Sequence, residues 1–226
     1  AHPRATGALE IPEIDAAARG AAALLASTGR AVPAEFVLAL VGTGTAFAMV
    51  RDGTAKHLGG TALGGGSFVG IARRIDPALD YATMIARAEG GDRRGVDVMV
   101  SDAYPGGIGR IGPELTAAHL GKLGAVSAGG DAGEAGIDDV LAGLLNLHGE
   151  NIAQIAASRA RIAQLTHVVL AGGFVHNNPA LVRSLEAMIS RFGVQVELVP
   201  WPGFAGTVGA AAIAAEAAQT AMEVTE

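Results

Sequence analysis

Three glycine-rich turns, each following a stretch that predicts a strand, constrain this chain more than any other feature. They are Gly42-Thr43-Gly44-Thr45 behind the apolar run 36–41, Gly59–Gly66 (GGTALGGG) behind a predicted hairpin, and Gly172-Gly173 behind 168–171. Glycine tolerates positive φ and lets a ligand approach the backbone closely. Loops at the carboxyl ends of strands are where open α/β sheets bind ligands. Successive backbone N–H groups, with a helix N-terminus behind them, attract anions. The three turns together predict a phosphate or nucleotide site. Neither a Walker A lysine motif nor GxGxxG occurs, which argues against P-loop and dinucleotide folds. Glycine contributes 33 of 226 residues, about double the usual ~7%. That excess reads equally as tight turns and as the compositional bias of a GC-rich genome.

Apolar periodicity predicts helices over 16–25, 67–75, 77–88, 96–100, 116–123, 137–165, 179–192 and 205–218. Glu13 or Asp15 is placed to cap the first, and Gly149 is a candidate break in the sixth. Strands are predicted over 36–41, 47–50, 54–58, 168–171 and 194–199, with Arg51-Asp52-Gly53 turning the second into the third. The unbroken apolar run 36–41 suits a strand buried on both faces. The last third alternates strand and helix with short joins, the pattern of an α/β layer with parallel strands. Residues 127–136 read as a loop and 1–10 as an irregular entry. No 20–50-residue repeat occurs. The chain opens on Ala1 without a signal-peptide pattern, and sequence is expected to be missing upstream.

Composition narrows the class. The net charge is −6, without a run of Lys or Arg, which argues against a nucleic-acid surface or a polybasic membrane patch. No uninterrupted apolar stretch reaches the ~18 residues that a membrane helix needs. The absence of cysteine removes disulfides, iron–sulfur clusters, thiolate zinc and Cys nucleophiles together. The six histidines never fall into metal-ligand spacing. The expectation is a soluble intracellular protein.

Seven motifs then appear in order: PEIDAAARG (12–20), VGTGT (41–45), LGGTALGGGSFVG (58–70), GDRRGVD (91–97), ELTAAHLGK (114–122), VVLAGGFVHNN (168–178) and GFAGTVGAA (203–211). Along essentially the whole chain they resemble the type II pantothenate kinases, within the actin/Hsp70/sugar-kinase ATPase fold. The resemblance implies an α/β, ribonuclease H-like mixed sheet with flanking helices. One lobe would be complete (36–226, ATP and substrate binding) and the N-terminal lobe truncated to a remnant (1–35). It further implies ATP-dependent phosphorylation of pantothenate to 4′-phosphopantothenate, the entry step of coenzyme A synthesis. Mg²⁺, a homodimer, acyl-CoA as a candidate feedback ligand and a cytoplasmic location come with it. Carried over by position, Glu13 matches the catalytic glutamate, while Thr43, Gly65, Gly66, Ser67, Phe68, Val69, Tyr81 and Gly173 match ATP contacts.

Each residue also has a plainer reading. Glu13 behind Pro12 suits a carboxylate at a helix N-terminus, whereas the resemblance makes it the general base. Asp15 suits helix-start scaffolding. Thr43 either bonds neighbouring backbone or meets phosphate, and Tyr81 is either a half-buried core residue or a nucleotide contact. Trp201 suits packing at a strand end, and His176-Asn177-Asn178 suits a helix cap without chemistry. The alanine-rich tail suits core or dimer packing.

Two departures from the family stand out. A DxGGT-type first glycine hairpin, whose acid helps hold Mg²⁺, is absent from these 226 residues. His57 stands where the family carries an arginine that pairs the pantothenate carboxylate; Arg offers a permanent bidentate charge and His does not. Lys56 or Arg19 could supply the clamp instead. The departures motivate two other readings: a kinase for a related alcohol such as pantoate or pantetheine, and a nucleotide- or acyl-CoA-binding pseudokinase or subunit that needs a partner for the missing lobe. An ATPase activator of radical dehydratases, with the same fold, is excluded because its cluster needs cysteines.

Overall fold

The computed structural model describes residues 9–109, 111–124 and 135–223; the expected irregular entry and the 127–136 loop lie almost wholly outside them. In chain order the elements are α1 (Glu13–Ser27), β1 (Glu35–Val41), β2 (Thr45–Arg51), β3 (Thr54–Thr61), α2 (Gly65–Ile75), α3 (Tyr81–Gly90), β4 (Val98–Met99), α4 (Val100–Ala103), β5 (Thr116–Ala118), α5 (Gly121–Gly124), α6 (Ile137–Ile162), β6 (His167–Ala171), α7 (Pro179–Arg191), β7 (Gln195–Leu198) and α8 (Ala205–Glu223). Five strands form one mixed sheet in the order β3-β2-β1-β6-β7. The β1–β2 and β2–β3 pairs are antiparallel, and β1–β6 and β6–β7 are parallel. The expected mixed α/β sheet with flanking helices is therefore present.

The central strand shows why its sequence is uniformly apolar. Phe36 and Leu38 pack into one core cluster with α1, while Val37, Ala39 and Val41 pack into another with α2, α3, α6 and α7. Alternate side chains of a strand point to opposite faces, so both must be apolar when helices cover both sides. On the first face α1 and α8 touch backbone to backbone. A Cβ on Gly20 would run into the Ala205 carbonyl, and one on Gly209 into that of Ala16. The β2–β3 hairpin turns on Asp52 (φ 48°) and Gly53 (φ 73°), the positive-φ pair that matches strand twist.

Several expectations are corrected. The helix expected over 96–100 is instead a 3₁₀ turn at Arg93–Gly95 followed by β4 and α4, and that over 116–123 is β5 and α5. Polar bonds outweigh local propensity there: Arg93 donates to the Glu114 carbonyl (2.9 Å), and Asp97 accepts the Leu120 N–H (2.8 Å). The helix expected over 77–88 starts at Tyr81, because the Asp80 carboxylate accepts the Thr83 N–H and caps it there. Pro12, not Glu13 or Asp15, occupies the cap of α1, without a side-chain bond. Helix α6 passes unbroken through Gly149, whose missing side chain leaves room for Ser184 of α7. Trp201 does not pack at the strand end; it is 58% exposed, at φ 48°. The alanine-rich α8 buries only Ala205 and Gly209.

Candidate active site

The loops at the carboxyl ends of β1, β3 and β6 meet. The N–H groups of Gly65 and Gly66 bond the carbonyls of Gly42 (2.8 Å) and Thr43 (2.9 Å), and the Phe174 N–H bonds the Val41 carbonyl (3.0 Å). A Cβ on Gly64 would lie 2.6 Å from the Thr43 carbonyl and 2.8 Å from that of Gly42. Glycine is required there because the two loops touch through their backbones. Two amides that the sequence offers to an anion are thus engaged in joining the loops. The positive end of the α2 macrodipole still faces the cavity behind them.

That cavity, of about 310 Å³, is lined by Gly42, Thr43, Gly65, Gly66, Val69, Tyr81, Gly173 and Phe174. It gathers six of the eight residues matched to ATP contacts, from four separate stretches of chain. Tyr81 stands at its edge, 37% exposed; burial raises its phenol pKa, and a hydrogen bond with Asn178 acts the other way. Ser67 and Phe68 do not line it. The Phe68 ring is fully buried against Phe174, with centroids 5.6 Å apart, and the Ser67 hydroxyl points to His148 (2.8 Å).

A second cavity, of about 620 Å³, opens on the other side of the same first loop and is lined by Glu13, Leu40, Gly42, Thr43, Gly44, Thr45, Ala46, His57, Gly60, Thr61 and Ala62. It brings together Glu13 and His57, 44 positions apart in the sequence. The hairpin register makes this possible: Val50 pairs with Ala55 and Ala48 with His57, which puts His57 on the α1-side face, and a β-bulge follows directly. Phe47 pairs with Gly59, so Leu58 is an extra residue. Ala48 belongs to the α1-side core, and His57 lies on that side, where Glu13 begins α1. Arg159 of α6 holds the bulge, bonding the Leu58 carbonyl and lying over the Phe47 ring at 5.1 Å. The alternative clamps are elsewhere: Lys56 does not line the cavity, and Arg19 pairs with Glu216.

The side chains of Glu13, Thr43 and His57 make no hydrogen bond or ion pair among the described residues. Glu13 is the one carboxylate lining either cavity. Among the described residues no group of three His, Cys, Asp or Glu could hold a metal ion.

The sequence reading missed His148 and Thr61, and read Thr45 as a residue that bonds backbone in a tight turn. Thr45 is buried, its hydroxyl donating to the Leu63 carbonyl (2.9 Å), and Thr61 accepts the Leu63 N–H (3.3 Å). A polar residue flanking each glycine pair was the available signal. His148 carried none, since it lies in an ordinary helical pattern.

A mixed sheet with glycine loops joined at its strand ends has the form of the actin-like, sugar-kinase-like fold class. Residues 26–212 match the family model described as Fumble, and the chain belongs to that family, the type II pantothenate kinases. It is 29% identical over 200 residues to a type II pantothenate kinase of Oceanobacillus iheyensis, covering 88% of this chain and 72% of that protein. With the Staphylococcus haemolyticus type II pantothenate kinase it shares 30% over 198 residues, covering 88% and 73%. Among solved structures, the activator of the 2-hydroxyisocaproyl-CoA dehydratase from Clostridium difficile with bound ADPNP superposes at a TM-score of 0.56 with 18% identity, covering 96% of this chain and 70% of that one. The ROK hexokinase of Thermus thermophilus superposes at 0.51 with 15% identity, covering 85% and 63%. These last two show the fold.

Proposed function

We propose that this protein transfers the γ-phosphoryl group of MgATP to the primary hydroxyl of pantothenate, giving 4′-phosphopantothenate at the entry to coenzyme A synthesis. The carrying observation is the pair of cavities that share Gly42 and Thr43 as a common wall. Nucleotide would occupy the Tyr81 side, and the accepting alcohol the Glu13 side. Phosphoryl transfer depends chiefly on in-line positioning and charge stabilisation. The glycine loops, the α2 N-terminus and the Thr43 hydroxyl supply these on this chain. Glu13, which lines the acceptor-side cavity, would accept the proton that the attacking hydroxyl loses. Mg²⁺ enters as part of the nucleotide substrate, since this ion is commonly held by phosphates and water.

His57 favours a second reading, a related alcohol without a carboxylate, because an imidazole offers a single prong where Arg would offer a bidentate, permanently charged fork. The homodimer, acyl-CoA feedback, a cytoplasmic location and the division of the chain at residue 35 belong to this reading as family expectations. Among the described residues no helix is long and apolar enough to cross a membrane. Incubation with MgATP and either pantothenate or pantetheine, read by ³¹P NMR, tests the function. A new phosphomonoester with pantothenate is expected. Phosphorylation of pantetheine alone would favour the second reading, and ATP left intact with both would overturn the kinase assignment.

A further inference from the structure

His148 lies on α6 outside both cavities and is fully buried. Its Nδ1 is 2.8 Å from the Leu144 carbonyl. A carbonyl only accepts, so Nδ1 carries the hydrogen. Burial, together with the nearby His119, pushes the imidazole pKa below its ordinary value despite the Leu144 bond. In this neutral tautomer Nε2 holds a lone pair, and it faces the Ser67 Oγ at 2.8 Å. The Ser67 hydroxyl therefore donates to His148, although the Gly64 carbonyl is only 3.0 Å away, while its oxygen accepts the Gly64 N–H (3.2 Å).

The orientation of Ser67 is passed on through backbone. Gly64 abuts the Gly42 and Thr43 carbonyls, to which the next two amides bond. The third loop rests on the same imidazole: the Phe174 ring lies edge-on to His148 at 6.0 Å, and Phe68 does likewise. One buried side chain thus supports all three glycine loops.

We propose that His148 is a positioning residue for the nucleotide site, its imidazole accepting the Ser67 hydroxyl proton and so fixing the first turn of α2 against α6. This rests on the reading of the Tyr81-side cavity as the nucleotide site. An apolar ring of similar size would fill the space but leave the Ser67 hydroxyl to swing to the Gly64 carbonyl, freeing the loop.

The test compares wild type, His148→Phe, His148→Gln, Ser67→Ala and the Phe/Ala double variant. Calorimetric titration with Mg²⁺–ADPNP and separately with pantothenate is read beside the thermal midpoint. His148→Phe is expected to weaken ADPNP binding about tenfold, the order of one buried hydrogen bond. Ser67→Ala should match it, and the double variant should be no worse than either single change. Pantothenate affinity should stay within about twofold. His148→Gln, whose amide oxygen can accept the same proton, should recover most of the loss. A lowered thermal midpoint with ADPNP affinity intact in His148→Phe and Ser67→Ala would overturn the proposal, as would additive losses in the double variant. If His148→Phe does not fold, the contrast between Ser67→Ala and His148→Gln decides in its place: both binding ADPNP as wild type does would overturn the proposal. Wild type that binds no ADPNP would overturn the nucleotide reading itself, and the proposal with it.

Discussion

The open end of the sheet and the packed flank around α6 treat polar side chains in opposite ways. At the open end, Glu13, Thr43 and His57 face a cavity without side-chain partners among the described residues. On the flank, most polar groups satisfy one another in a chain, His119 Nδ1 being buried without a hydrogen bond. Ser184 donates to Asn146 (2.9 Å), Asn146 and Thr116 donate to Glu150 (3.0 and 3.1 Å), Arg93 donates to Thr116 (2.6 Å) and pairs with Asp97 (3.2 Å), and His119 lies 3.4 Å from Glu150. Asp97 is fully buried. Burial would raise its carboxyl pKa, but His119, the Leu120 N–H and Arg93 together hold it below its ordinary value. Buried polar groups that are fully paired give rigidity, and unpaired ones would be costly. Unpartnered groups at a solvent-filled strand end cost little and remain available to substrate. The neighbouring cavity between α3, α6 and α7, of about 380 Å³, has its polar wall already satisfied, which is why the chemistry is assigned to the glycine-loop end.

That contrast predicts a division of effects. At the open end, Glu13→Gln should lower kcat by about 10²–10⁴, the usual contribution of a positioned general base, and leave the thermal midpoint unchanged. Steady-state kinetics beside a melting curve would detect a failure of either half. On the flank, Asp97→Ala leaves Arg93 and His119 without their buried anion. It should cost about 3–5 kcal/mol of stability, measured by urea unfolding, with the kcat of the remaining folded enzyme little altered. Large loss of kcat without loss of stability would erase the distinction between the two regions.

His57→Arg sharpens the description of the open end. A charge-assisted bond contributes about 1.5–3 kcal/mol, so pantothenate KM should fall roughly 10–150-fold, with pantetheine much less affected. Equal responses of the two alcohols would show that His57 does not face the carboxylate.

The smallest effect is one of pH. A histidine whose folded pKa is depressed takes up its proton more readily when unfolded. Its contribution is complete above the ordinary value of about 6.5 and is lost as pH falls toward the lowered native value. Wild type should therefore lose more stability between pH 7.5 and 5.5 than His148→Gln, as judged by urea midpoints. Parallel curves would mean that His148 is not held neutral by its surroundings.

How much of this was legible in the sequence differs between the regions for the same physical reason. The run 36–41, the Asp52-Gly53 turn and the strand–helix alternation of the last third depend on local pattern, and they appear as read. The glycine loops were legible too, because backbone contact between Gly64 and Thr43 excludes any side chain. The flank was not. Segments 93–103 and 116–124 take their shape from Arg93 and Asp97, whose partners are distant in sequence. The approach of Glu13 to His57 depends on α1 packing over the face of the hairpin that carries Ala48 and Val50, a tertiary contact that local pattern does not reveal. His148 reads as one more helical position until its two nitrogens are seen to be used.

The most direct test of the shared-wall arrangement is a crossed binding measurement. Mg²⁺–ADPNP and pantothenate would each be titrated into wild type, Tyr81→Ala and His57→Ala. Tyr81→Ala is expected to weaken ADPNP several-fold and leave pantothenate unchanged, because Tyr81 lines only the cavity proposed for nucleotide. His57→Ala should alter pantothenate affinity and leave ADPNP unchanged. If each substitution weakens both ligands equally, or if the pattern is reversed, then donor and acceptor do not sit on opposite sides of Gly42-Thr43, and the account is wrong.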